Sequence, residues 1–195
     1  LHQGKYLGGH ASASYETTHD GHNVIDAGAS SWKSGDYDLI SAMLSALVER
    51  TAVPSKHGAP ASAVWHEAGF AQIYEYDLLL GLGMDAEASD AWDEFEPLAQ
   101  SYPVANSYWF SDYFYPVYRD HGKTKLLVQF FTLLSMYYPE SGGAMPAMNW
   151  GQYIHFMSGA AGADVEEQAT YAFGWNNTWE QQLTQARTDF PAIKY

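Results

Sequence analysis

The chain has 195 residues, of which 47% are hydrophobic and 16% aromatic, so it can bury a core of ordinary size and is not an extended disordered protein. Its 23 acidic residues outweigh 9 basic ones and give a formal net charge of -14, which argues against nucleic acid and anionic membranes as partners because both bind positive surfaces. Because the chain has no cysteine, disulfide bonds and thiolate metal sites are excluded, and His, Asp and Glu are its possible metal ligands.

Residues 1–33 differ in composition from the rest of the chain. They are rich in Gly, Ser, His and Asp, and short alternating stretches such as Ser12-Ala13-Ser14-Tyr15 predict strands and loops. From Ser34 onward, apolar residues recur at spacings of three and four, which is typical of helices packed against a core. The sequence therefore predicts a mainly α protein with a small N-terminal β region, an α+β fold whose helical body covers residues 34–195. We expect a single domain over residues 1–195, and the alternative is two lobes that share an interface.

Eight helices are predicted, and several have recognisable ends. Ser34 or Asp36 can cap the first helix, and Gly162 and Gly174 suit the C-terminal ends of two later ones. A disturbance is predicted at Pro116, inside an aromatic helix. The helices after the first are predicted over residues 60–82, 85–100, 107–120, 123–138, 150–161, 164–173 and 178–190.

The sequence also bears on where the protein is found. No apolar run reaches the roughly 18 residues that a membrane span needs, so we expect a soluble protein. The chain begins at Leu1 with neither an initiator Met nor a signal peptide, and we expect a mature protein or one domain of a longer chain. The acidic, cysteine-free composition suits an extracellular or secreted protein, and Asn176-Asn177-Thr178 is a formal glycosylation acceptor.

The second predicted helix carries an incomplete metal motif. In zinc peptidases, His-Glu-x-x-His places two imidazoles one turn apart on one helix face, where both bind Zn²⁺, and the glutamate polarises the metal-bound water. Residues 63–70 read AVWHEAGF, so His66 and Glu67 are present while Phe70 stands in the position of the second histidine. Phenylalanine has no lone pair to donate. Either the metal site is lost and Phe70 fills the space as core, or a histidine from elsewhere completes the site.

Three histidines in the N-terminal region are candidates for that replacement. His10, His19 and His22 fall within thirteen residues of one another. The His-Asp-Gly-His loop that ends at His22 could hold a divalent metal or complete a site with His66. The alternative is a solvated loop in which the Asp-Gly pair makes a turn.

With its motif helix, the chain resembles the gluzincin-type zinc metallopeptidases, in which a glutamate from a following helix is the third ligand. The sequence AEASD around Glu87 is similar to the third-ligand helix of the thermolysin-like members, and this resemblance implies that Glu87 binds zinc and that Asp90 orients His66. Segments 156–164 and 173–175 also resemble the helical subdomain of enhancin-like secreted peptidases.

The resemblance implies a zincin-like helical body and a secreted enzyme in which zinc-activated water attacks a peptide carbonyl. Glu67 would be the general base, His66, Glu87 and His22 the metal ligands, and His121 a catalytic group that stabilises the oxyanion. The substrate would be a protein or peptide, including a glycoprotein. The alternative is a catalytically inactive relative that acts as a protein- or glycan-binding or structural module, because the second histidine of the motif is missing.

Two of these residues have further interpretations. His121 also suits a helix C-terminus, where a histidine is favoured electrostatically. Glu67 and Asp112 could form the acid and base pair of a glycosidase whose aromatic side chains stack on sugar rings. Aromatic residues at helical spacing are, however, more often part of a core.

Overall fold

The computed structural model describes residues 10–12, 22, 24–26, 67–139 and 148–195. Contacts between residues divide the chain into two units, Leu1–Ala61 with Glu140–Met145 and Ser62–Pro139 with Pro146–Tyr195. The single domain expected over residues 1–195 stays a prediction.

The described part of the first unit is a two-stranded antiparallel sheet. Strand β1, His10–Ser12, pairs with strand β2, Val24–Asp26, so that the first residue of β1 lies opposite the last residue of β2. His22 lies shortly before β2 and is exposed. The other residues of the predicted β region 1–33 and the helix predicted after Ser34 lie outside the described residues.

The described part of the second unit is mainly helical, as predicted. Its elements are α1 (Glu67–Gly81), α2 (Asp85–Phe95), a π-helix (Trp109–Phe114), α3 (Tyr115–Asp120), α4 (Thr124–Tyr137), α5 (Trp150–Ala161), α6 (Glu166–Phe173) and α7 (Asn177–Asp189). Each helix predicted beyond residue 60 has a counterpart, although α2 ends five residues before the predicted position and residues 60–66 lie outside the described part. None of the helices in these residues has the length and apolar character that a membrane span requires.

Local sequence signals explain several helix ends. Asn149 and Gln152 form a capping box at the start of α5, where each side chain accepts a hydrogen bond from the other residue's backbone amide, at 2.9 and 3.0 Å. Asn176 caps α7 by accepting from the Trp179 amide at 3.0 Å. Gly162 ends α5 with φ of 66°, a left-handed conformation that glycine adopts without a Cβ clash. The predicted stop at Gly162 is confirmed.

The aromatic segment contains a π-helix in place of the uniform helix that its spacing suggests. Trp109, Phe110, Tyr113 and Phe114 are all buried in it. Pro116 lies in the first turn of α3, which continues directly from the π-helix. The disturbance of the helix therefore lies before the proline. Its π-helical form was not predicted, because a wider π turn is not visible in a search for 3.6-residue periodicity.

Aromatic rings form the core of the second unit. The Trp109 ring centroid lies 5.5 Å from that of Trp150 on α5 and 4.4 Å from that of Phe173 on α6. Each large ring buries much apolar area, and tilted ring pairs add about 0.5–1.5 kcal/mol each. These contacts join the π-helix, α5 and α6 around one fully buried side chain.

Gly151 permits an unusually close approach of α5 to α7. A Cβ added at this residue would overlap the backbone of Gln182 and Leu183. Gly151→Ala should therefore force the two helices apart and lower the free energy of unfolding by about 2–3 kcal/mol. Urea unfolding followed by circular dichroism measures this change.

Gly81→Ala is the matched control for that substitution. Gly81 is the last residue of α1, and a Cβ there would meet no atom within 4 Å. Because alanine has the higher helix propensity, this variant should keep the wild-type stability or gain up to about 1 kcal/mol. Equal effects of the two substitutions would contradict the close helix contact at Gly151.

Candidate functional site

Helix α1 carries the end of the metal motif. It begins at Glu67 and includes Phe70, whereas His66 lies outside the described residues, as do the side chains of the first residues of α1. The motif therefore continues into a helix, as expected. The roles of His66 as a ligand and of Glu67 as a general base stay predictions.

Glu87 lies at the opposite end of α1 from Glu67. Fourteen residue steps separate Glu67 from Gly81, which corresponds to about 21 Å along the helix axis. Helix α2 then runs back along α1, with the Tyr76 and Trp92 ring centroids 5.9 Å apart, and Glu87 is in the first turn of α2. The structure therefore does not bring Glu87 to the motif end of α1.

The zinc site that the motif implies stays a prediction, because His66 and the side chain of Glu67 lie outside the described residues. The described residues contain no group of three His, Asp or Glu side chains placed to hold a metal ion. Glu87 is separated from Glu67 because α1 continues for several turns beyond the motif before the chain reverses. His22 is exposed in the first unit, and its role as a ligand stays a prediction.

A carboxylate further along α1 joins three helices. Asp77 Oδ1 accepts hydrogen bonds from the hydroxyls of Tyr118 and Thr124, both at 2.6 Å. Burial and the adjacent Asp77 carboxylate raise the pKa of Tyr118 above its ordinary value, so the phenol remains a donor. Asp77 thereby ties α1 to α3 and α4.

An open cleft of about 440 Å³ lies between the end of α3 and the start of α6. Its apolar lining comes from Pro116, Val117 and Val165. A concave surface with apolar side chains and a few convergent polar groups is the usual form of a ligand site. The polar and aromatic lining consists of Asp120, His121, Asp164, Glu167, Gln168 and Tyr171.

Hydrogen bonds to neighbouring elements hold the α6 side of the cleft. Asp164 Oδ1 accepts from the backbone amide of Glu166 at 3.0 Å, which fixes the carboxylate at the start of α6. The side-chain amide of Gln168 donates to the carbonyl oxygen of Asp112 in the π-helix. The cleft therefore has one wall that is attached to the aromatic core.

Within the described residues, the lining of the cleft includes three carboxylates and no lysine or arginine. Asp120 forms an exposed ion pair with Arg119 at 2.6 Å, and this hydrogen-bonded neighbour lowers the pKa of Asp120. Glu167 is exposed. Beside the cleft, burial and the nearby Glu180 carboxyl raise the pKa of Glu166. The cleft lining is therefore acidic in composition.

Arg187 of α7 links the cleft to the C-terminal residue. Its Nη2 donates to Asp164 Oδ2 at 2.9 Å and to Glu166 Oε2 at 3.4 Å. Its Nε donates to the Tyr195 hydroxyl oxygen at 3.0 Å. That oxygen is 3.1 Å from Nδ1 of His155, a buried side chain on α5. One series of polar contacts therefore runs from the cleft into the core.

His121 is the predicted site residue that lines the cleft. It follows α3 directly and is half-buried, a position that agrees with the helix-end interpretation, while its oxyanion role stays a prediction. The sequence pattern does not single out Glu167, Gln168 or Tyr171, because they resemble the solvated face of an ordinary helix. The run of acids that begins at Asp164 is the one signal of this wall.

Comparisons with protein-family models, curated proteins and solved structures found no match for this sequence. The likeness to gluzincins therefore rests on the residues of the motif and its downstream segments.

His155 should make the stability of the protein depend on pH. Burial lowers its pKa, the hydrogen bond to the Phe190 carbonyl offsets part of this, and the charge of Arg187 lowers it further. An unfolded histidine has a pKa of about 6.5, so the unfolded chain binds a proton at this residue more tightly than the folded chain does. The stabilisation is complete above about pH 6.5 and is lost as the pH falls through the lower folded pKa.

Urea unfolding of wild type and His155→Asn at about pH 8 and about pH 5 measures this effect. The variant cannot titrate at this position, so its stability should differ less between the two conditions than that of wild type. A wild-type difference no larger than that of the variant would contradict the prediction.

Proposed function

We propose that this chain is a secreted, catalytically inactive relative of the gluzincin peptidases and that it binds a basic peptide segment of a protein partner. The binding site is the cleft between α3 and α6. The observation that carries the proposal is the lining of this cleft, in which carboxylates and an exposed tyrosine accompany apolar side chains.

The form of the cleft suits a lysine or arginine side chain. Val117 and Val165 are buried beside the half-buried Pro116, and this apolar surface can receive the aliphatic stem of such a residue. Tyr171 is 74% exposed, so its ring face is accessible to a cation. A basic side chain therefore finds both an apolar contact and a partner for its charged end.

Charge favours a cationic ligand over a neutral or anionic one. The chain carries a net charge of -14, and a field of one sign attracts ligands of the other sign and speeds their association. Asp120 and Asp164 already pair with arginines. Glu167 has no ion pair among the described residues, so a ligand can pair with it without displacing another cation.

Two features support the loss of hydrolysis. Phe70 offers no ligand in the position of the second motif histidine. Helix α1 rises about 21 Å from Glu67 to Gly81, and Glu87 follows in the first turn of α2, at the far end of α1 from the motif. A zinc peptidase that uses His66 and Glu67 is the rival proposal, and it requires a carboxylate ligand other than Glu87.

The cleft should bind a basic peptide in a salt-dependent manner. A suitable probe is a capped peptide of alternating lysine and alanine, with affinity measured by isothermal titration calorimetry. Glu167→Gln should weaken binding about fivefold, which corresponds to about 1 kcal/mol for a partly exposed charge pair. Tyr171→Ala should weaken it by a similar factor because a cation–π contact is lost. Added salt should weaken binding to wild type.

Glu94→Gln is the matched control for Glu167→Gln. Glu94 is an exposed carboxylate on α2 outside the cleft, so this variant has the same change in net charge and should keep the wild-type affinity. Binding of a neutral oligosaccharide, without binding of the basic peptide, would replace the peptide ligand by a glycan. If neither probe binds, the cleft is not a ligand site of this kind.

The purified protein should contain far less than one zinc ion per chain. Mass spectrometry of the metal content after dialysis measures this, and Glu67→Gln should change neither the metal content nor any background peptide hydrolysis. About one zinc per chain, together with hydrolysis that disappears in Glu67→Gln, would overturn the proposal in favour of the peptidase.

Phe70→His tests the ancestry of the helix separately. If α1 is a relict zinc-peptidase helix, the restored second imidazole should raise zinc affinity about tenfold or more, because two histidines one turn apart can bind one ion. No gain would mean that residue 70 does not face a metal site, and the gluzincin relationship would then lose its support.

A further inference from the structure

The C-terminal segment that follows α7 is docked on α5. Ile193 is buried and packs so closely on Gly159 that a Cβ at Gly159 would overlap its side chain. Tyr195 lies beside His155, with ring centroids 5.5 Å apart, and the carbonyl oxygen of Phe190 is 3.1 Å from Nε2 of His155. Apolar packing holds the middle of the segment, and polar contacts hold its end.

The direction of each hydrogen bond around His155 follows from its partners. A carbonyl oxygen can only accept, so Nε2 carries the proton and donates to Phe190, and Nδ1 of the neutral ring is an acceptor. The Tyr195 hydroxyl therefore donates to Nδ1 at 3.1 Å and accepts from Nε of Arg187 at 3.0 Å. Arg187, oriented in this way, presents Nη2 to Asp164 in the cleft.

We infer that Arg187 is a positioning residue for the cleft, held in place by Tyr195 and His155, so that proton binding at Nδ1 of His155 disturbs the placement of Asp164. This inference rests on the proposed peptide-binding function of the cleft. A protonated imidazole donates from both nitrogens, so the Tyr195 hydroxyl loses its acceptor and two cations face one phenol oxygen. Repulsion between these cations weakens the contact of Arg187 with Tyr195, so that Asp164 has a less firmly placed partner.

The charges that act on His155 come from three parts of the fold. Arg187 of α7 and Lys194 of the C-terminal segment oppose its protonation, whereas Asp164 favours it. Burial opposes protonation more strongly than any of these charges. Helix α4 also packs against α5 but contributes no charged group to His155 among the described residues. The ring is therefore neutral near neutral pH and takes up a proton on acidification.

NMR spectroscopy of the intact protein tests the coupling without a ligand. The Glu166 amide reports on Asp164, because Asp164 Oδ1 accepts its hydrogen bond. In wild type, the Glu166 amide shift should follow the titration of the His155 ring between about pH 8 and about pH 5. In Tyr195→Phe, the His155 ring should still titrate, while the Glu166 amide should no longer follow it.

Two further variants complete the test. Tyr137→Phe is the matched control, because Tyr137 on α4 is 38% exposed against 37% for Tyr195, and it should keep the coupling. Arg187→Lys keeps the charge but lacks the planar fork that meets Tyr195 and Asp164 together, so it should abolish the coupling. Circular dichroism verifies that each variant is folded.

Peptide affinity measured on the same samples separates this inference from the proposed function. Tyr195→Phe should weaken binding of the lysine-alanine peptide about threefold near neutral pH. If the Glu166 amide does not follow His155 in wild type, or follows it equally in Tyr195→Phe, the positioning role of Arg187 is wrong. If the coupling is present and wild type binds no peptide, the positioning role stands and the proposed function falls.

Discussion

The helical unit is organised around the buried side chain of Trp109. Its ring lies against Trp150 and Phe173, and its indole N–H donates to the carbonyl oxygen of Tyr102. That hydrogen bond matters because a buried N–H without a partner costs about 1–3 kcal/mol. The same contacts hold the π-helix against α6, and α3 continues directly from the π-helix. The contact of Trp109 with Phe173 therefore holds α6, which carries one wall of the cleft, close to α3, which carries the other.

The helices of this unit could be predicted from sequence because their signals are local. Helix α5 shows this best: its capping pair, Asn149 and Gln152, and its terminal Gly162 all lie within or next to the helix itself. The π-helix could not be predicted, since four bulky aromatics in six residues satisfy an ordinary helical pattern equally well. Pro116 marks the right region for a disturbance, but the proline itself is accommodated in a first turn.

The candidate site was harder to predict from sequence than the helices, because it depends on contacts between distant segments. The predicted helix boundaries at residues 82 and 85 agree with the structure and already place Glu87 several helical turns from the motif, so this separation could be predicted from sequence. The cleft depends on a contact between segments more than forty residues apart, near His121 and Asp164. In the sequence, the segment near His121 indicates only a helix end and the segment near Asp164 only a helix start. The acidic cleft forms only where the two segments pack together.

Contacts that do not involve a metal ion hold helix α1 in the fold. Asp77 binds the hydroxyls of Tyr118 and Thr124, and the Tyr76 ring packs edge-on against Phe110 in the π-helix. These contacts lie well beyond the motif and attach α1 to α3, the helix that carries one wall of the cleft. The anchoring of α1 therefore does not depend on a metal-binding histidine at residue 70. If the chain is an inactive gluzincin relative, as proposed, α1 would keep a structural role without its metal chemistry, because it supports the helix that carries one wall of the cleft.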